Sequence, residues 1–187
     1  GGARIFVAGL GVPREAIDLL HSKNVLVGSM CGKVRHAISA VASGVDFVVA
    51  QGTEGGGHTG TVATMALVPQ VVDAVGDKVP VVAAGGLYDG RGLAAALSLG
   101  ADGVWVGTRV IATPEARAVN GYKEPLLGTP EDGTVISRSY TGKTCRVVRN
   151  RYTEAFEKAG GVPEPFPMQV IKTYQEEMTK AKSGATK

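Results

Sequence analysis

The chain has 187 residues, 44% of them apolar and 20% charged, with 20 Lys+Arg against 17 Asp+Glu for a formal net charge of +3. These values sit in the ordinary globular range and exclude a disordered, highly charged tail protein. No block of like charge and no basic stripe with interleaved aromatics occurs, so nucleic acid is not an expected partner. No run of about 18 apolar residues occurs either, so no membrane-spanning helix is expected.

In chain order, short apolar runs alternate with helical stretches. Strands are expected at 4–8, 25–29, 47–50, 80–84 and 103–107. Each is apolar nearly throughout, as in parallel strands covered on both faces. Helices are expected at 14–23, stopping near Asn24, and at 34–43, with Val34, Ala37, Ile38 and Val41 on one face and a stop at Gly44. Pro69 should open a helix that runs through Val75, and 92–99 should form a short Ala/Leu helix closed by Gly100. The order is strand-helix repeated, so the class is α/β with right-handed crossovers.

After Gly107 the periodicity weakens. Residues 1–112 read as one part and 113–187 as a smaller closing segment. In that segment 151–159 should be helical and 160–167 a loop. Residues 168–181 should form a helix packing through Ile171, Tyr174 and Met178. Five strands fall short of the eight of a closed barrel, which usually needs about 250 residues. The expectation is an incomplete (β/α)8, TIM-barrel type.

Two cysteines, Cys31 and Cys145, make no disulfide framework, and the N-terminal residues show no signal-peptide pattern. A reducing, cytoplasmic setting is expected. Three His and two Cys show no metal-ligand spacing. His21 and His36 read as surface or packing residues, and Cys31 as an ordinary buried thiol.

Glycine is the outlier: 27 of 187 residues, about twice the usual share of roughly 7%. The run Gln51-Gly52-Thr53-Glu54-Gly55-Gly56-Gly57-His58 directly follows an expected strand, at the end where parallel α/β folds bind ligands. Bare backbone there can lie against a ligand, and a histidine can exchange a proton near neutrality. Two further strands run into Gly85-Gly86 and into Gly107-Thr108. Such paired turns commonly hold a phosphate on main-chain N–H groups and a helix N-terminus. Neither turn is a Rossmann or P-loop motif. Tyr88, Trp105 and Arg109 stand nearby as ligand or structural residues.

The segments 50–60 (AQGTEGGGHTG) and 84–109, followed by Tyr122-Lys123, Asp132-Gly133-Thr134 and Tyr140 to Lys143 with Arg146 and Asn150, resemble the nitronate monooxygenase (2-nitropropane dioxygenase) family. The resemblance implies an FMN-binding (β/α)8 barrel with a small, mostly helical second domain. Because residue 4 already begins a middle strand, the chain resembles the C-terminal part of such an enzyme. It also implies roles. Gln51, Gly52 and Gly56 would lie along the flavin. Gly85, Gly86, Gly107 and Thr108 would hold its phosphate, and His58 would be the catalytic histidine. The reaction would oxidise an alkyl nitronate or nitroalkane with O2 to a carbonyl compound and nitrite. Met30 stands where some relatives carry Lys. The alternatives are an FMN-dependent enoyl-acyl-carrier-protein reductase, which takes hydride from a nicotinamide cofactor, and an inactive fragment keeping part of the phosphate site. A purine-nucleotide dehydrogenase would need a nucleophilic Cys in a catalytic loop, which neither Cys supplies. Oligomeric state is left open.

Overall fold

The computed structural model describes residues 2–9 and 11–182. The elements, in order, are β1 (Ile5–Ala8), α1 (Arg14–His21), β2 (Leu26–Cys31), α2 (Val34–Ser43), β3 (Phe47–Gln51), β4 (Gly57–His58), α3 (Thr64–Val75), β5 (Val81–Ala84), α4 (Gly90–Ser98), β6 (Gly103–Trp105), α5 (Thr108–Ile111), α6 (Asn120–Gly128), β7 (Thr134–Ser137), β8 (Cys145–Val148), α7 (Arg151–Lys158) and α8 (Met168–Lys182). They form two compact units. One comprises 1–55 and 59–116, the other 56–58 and 117–187.

The first unit holds a five-stranded parallel sheet in the order β1-β2-β3-β5-β6. Strand order follows chain order, with a helix between each pair of neighbours, which is the topology of a (β/α) barrel of which five strands are present. Apolar packing between sheet and helices supplies the core. Val27, Val48, Ala50, Val81 and Ala83 from the strands meet Ile17, Ala37, Leu67, Val68, Val71 and Ala96 from the helices.

Three helices stop by one device. Asn24, Gly44 and Gly100 take positive φ (55°, 98° and 88°). The next N–H then reaches back five residues: Val25 to Leu20 O (3.1 Å), Val45 to Ala40 O (3.4 Å) and Ala101 to Ala96 O (3.0 Å). This closes orphan carbonyls at the helix end and turns the chain toward the sheet. An aspartate then twice clamps the preceding strand of the sheet. Asp46 donates its N–H to Val27 O (2.7 Å) and accepts the Val27 N–H on Oδ2 (2.7 Å). Asp102 does the same with Val81 (2.8 Å and 2.8 Å). The repeated Gly-x-Asp at 44–46 and 100–102 is therefore a strand-start clamp.

Several expectations need correction. The α3 helix begins at Thr64 and contains Pro69 in its interior. Proline removes one N–H from the ladder, but Leu67, Val68, Val71 and Val75 are buried along this helix and tertiary packing outweighs that loss. Of the face expected for α2, Ala37 is buried and Val34 and Val41 pack against the core, but Ile38 is exposed. Burial on both faces holds for β3, where Val48, Val49 and Ala50 are all buried. It fails for the outer strands, where Ile5, Phe6 and Trp105 are exposed.

The second unit contains a three-stranded antiparallel sheet, β4-β8-β7, where only helix and loop were expected. Asn150 opens α7 with a reciprocal cap: its side chain accepts the Thr153 N–H (3.0 Å) and Thr153 Oγ1 accepts the Asn150 N–H (3.1 Å). The expected packing stripe of α8 is also wrong. Ile171 and Tyr174 are exposed, whereas Gln169 and Thr173 are buried. Met178 lies outside the residues whose side chains are described. The cause is polar. The Ser139 carbonyl accepts from Gln169 Nε2 (2.6 Å), Thr173 Oγ1 (3.2 Å) and Tyr152 Oη (3.2 Å), so α8 turns its hydrogen-bonding face inward.

Candidate functional site

Strand register decides which turns share an end of the sheet. Gln51 pairs with Ala84, and Ala84 with Trp105. Gly52, the Gly85-Gly86 turn and the Gly107-Thr108 turn therefore leave adjacent parallel strands at the same, C-terminal end. The first two also touch, since the Gly52 N–H donates to Ala84 O (2.9 Å). Gly85 has φ +101°, and a Cβ on it would sit 2.9 Å from both Gly52 O and Thr64 Oγ1. Gly86 follows at φ +72°. A Cβ on Gly52 would overlap Thr64 itself. At Gly107 an added Cβ would meet nothing within 4 Å, so the space beside that backbone is open.

Gln51 folds back over its own loop, where a Cβ on Gly55 would overlap its amide. Glu54 reaches forward to the start of α3. Its Oε2 accepts the Thr64 N–H (3.0 Å) and the Thr64 hydroxyl (2.7 Å). The acidic residue inside the glycine run thus caps α3, a role that motif reading missed because the capping group stands ten residues before the helix.

One expectation about phosphate holding needs revision. The N-terminus of α4 is filled by the chain's own Asp89, which accepts the N–H groups of Arg91 (3.0 Å) and Gly92 (3.2 Å). The Arg91 side chain bonds Asp89 Oδ2 through Nε (2.9 Å) and Nη2 (2.6 Å), and this holds the Asp89 carboxyl below its usual range. A negative charge already occupies that helix end, so an incoming anion would have to use the backbone of the glycine turns instead.

Gly56 and His58 belong to the second unit. The chain leaves the first unit after Gly55 and re-enters it at Thr59. Between them Gly57 pairs with Arg146 and His58 with Cys145, antiparallel. The His58 Nε2 lies 3.0 Å from Thr141 Oγ1. Thr141 Oγ1 also accepts the Lys143 N–H (3.2 Å) and lies 3.2 Å from Lys143 O and 3.6 Å from Cys145 Sγ. Tyr88 and Trp105 are exposed. Among the described residues no cluster of His, Cys, Asp and Glu could hold a metal ion, and no helix is long and apolar enough to cross a membrane.

Comparison with known proteins places this pattern. The nitronate monooxygenase family model matches residues 2–187. The chain belongs to the nitronate monooxygenase family. It is 46% identical over 166 residues to a Mycobacterium tuberculosis protein named as a monooxygenase, covering 88% of this chain and 44% of that one. It is 42% identical over 159 residues to an octahydroindene-carboxyl-CoA dehydrogenase of Rhodococcus jostii, covering 85% and 44%. Among solved structures, nitroalkane oxidase from Streptomyces ansochromogenes superposes with TM-score 0.86 at 31% identity, covering 99% of this chain and 56% of that one. The chain thus spans about half the length of the curated relatives it matches.

Proposed function

We propose that the native enzyme oxidises small alkyl nitronates with O2 to a carbonyl compound and nitrite, using FMN. The observation that carries this reading is the register that lines up the turns at Gly52, Gly85-Gly86 and Gly107-Thr108 at one sheet end. Family membership and the nitroalkane oxidase likeness support it. Bound flavin would supply the electron acceptance and the reaction with O2.

The chain's own residues have defined parts. Gly85, Gly86, Gly107 and Thr108 would hold the flavin phosphate on main-chain N–H groups and a hydroxyl. Gln51, Gly52 and Gly56 would lie along the ring system. His58, fixed through Nε2 by Thr141, would take a proton from a neutral nitroalkane or orient the nitronate. Both cysteines are free thiols, which suits a reducing compartment.

The test is turnover of an alkyl nitronate by the flavin-loaded native protein and by its His58→Asn variant. The reading requires nitrite formation that falls sharply in the variant. A second reading, flavin-dependent oxidation of a CoA thioester, is favoured by the 42% identity to the Rhodococcus dehydrogenase. Turnover of acyl-CoA substrates with no response to nitronates would select it.

A further inference from the structure

Two glycine turns meet in the proposed flavin site without side chains to pack between them. What joins them is Thr64. This residue is buried at the first position of α3. Its hydroxyl lies 2.7 Å from Glu54 Oε2, 2.9 Å from Gly85 O and 3.4 Å from Ala84 O. The hydroxyl, with one proton to share among these acceptors, therefore stands within hydrogen-bond reach of both the loop after β3 and the turn after β5. The Thr64 N–H adds a second bond to the same Glu54 oxygen (3.0 Å). The glycines fit around this group. A Cβ on Gly52 would overlap Thr64, and one on Gly85 would come to 2.9 Å of its Oγ1. A Cβ on Gly86 would approach Glu54 Cβ to 3.0 Å.

We propose that the Thr64 hydroxyl is a positioning group that locks the Glu54 loop to the Gly85 turn and so presets the backbone that receives the flavin phosphate; this rests on the flavin reading given above. Without the hydroxyl the two turns keep their glycines but lose their common anchor. Flavin binding must then order them, and affinity falls by the ordering cost. The bond to an ionised carboxylate is of the stronger class, so a loss of about tenfold in affinity is the expected scale.

The test uses the native protein with Thr64→Val, which keeps the side-chain shape, and Thr64→Ser, which restores the hydroxyl. Two quantities are read. One is the flavin dissociation constant by fluorescence titration. The other is amide hydrogen exchange, without flavin, at Gly52 and Gly55, whose N–H groups bond Ala84 O and Gly52 O. Valine should weaken flavin binding about tenfold and speed exchange at these two amides, leaving Ala101 and Asp102 unchanged, and serine should reverse both. Should valine unfold the chain, Glu54→Ala takes its place, with the same two changes expected. Unchanged affinity and unchanged exchange in the folded variant would overturn the proposal. If the unaltered protein binds no flavin, the functional reading fails, and the exchange data alone decide whether Thr64 locks the turns.

Discussion

The Nε2 nitrogen of His58 and the Oγ1 of Thr141 lie 3.0 Å apart, joining two residues 83 positions apart in sequence. The hydroxyl has one hydrogen and two lone pairs. With the Lys143 N–H on one lone pair, the direction of the remaining hydrogen sets which imidazole nitrogen carries the proton. If the hydroxyl donates to Lys143 O (3.2 Å), it accepts the Nε2–H of His58. Thr141→Val should release the His58 ring from this contact and lower the rate of nitronate turnover, with Thr141→Ser restoring it. His58→Asn should cost about 10²–10⁴-fold in rate. Unchanged turnover in His58→Asn, with folding intact, would remove His58 from the chemistry.

The glycine turns separate stability from binding. Gly85→Ala should destabilise strongly, because φ +101° disfavours a side chain and the new Cβ would lie 2.9 Å from Gly52 O. The cost should reach about 1–3 kcal/mol in denaturant unfolding. Gly107→Ala meets open space. It should leave stability within about 0.5 kcal/mol while weakening flavin binding.

The aspartate clamps carry stability at the opposite end of the sheet. Asp102→Ala leaves the Val81 N–H, bonded at 2.8 Å, without its acceptor at the start of a buried strand. A loss of about 1–3 kcal/mol is expected in urea unfolding. Asp102→Asn keeps an acceptor oxygen and should lose less. Flavin affinity should not change in either variant.

Burial pushes the Cys31 thiol up from its ordinary 9.0 to about 11, against the smaller lowering effect of a side-chain hydrogen bond with Ser29. Below pH 9 folded and unfolded chains both keep the proton, so the contribution to stability is complete. As pH rises from 9 through about 11 the unfolded chain ionises and the folded one does not, and stability falls. The loss should approach about 3 kcal/mol. Cys31→Ala should flatten this part of the pH–stability curve, and thiol reagents should leave Cys31 unlabelled in the folded protein near pH 8.

The parallel sheet was readable because its signals are local. Asn24, Gly44 and Gly100 end their helices where the sequence placed the stops, and apolar runs mark the five strands. The Pro69 boundary failed because long-range burial of Val68 and Val71 outweighs a missing backbone bond. The antiparallel sheet was unreadable because β4 is two residues long and its partner lies some 88 positions away, at Cys145 and Arg146. Glu54 and Thr64 escaped notice for a related reason: capping across ten residues leaves no periodic trace. Polar anchoring of α8 on Ser139 likewise inverts what apolar spacing suggests.

The most direct test is anaerobic mixing of the flavin-loaded native protein with an alkyl nitronate, and separately with NADH, while the visible flavin band is followed. Rapid bleaching by the nitronate, and slow or no bleaching by NADH, is predicted. Bleaching by NADH alone, or a purified protein that takes up no flavin, would contradict the assignment of the aligned turns and His58 to nitronate oxidation.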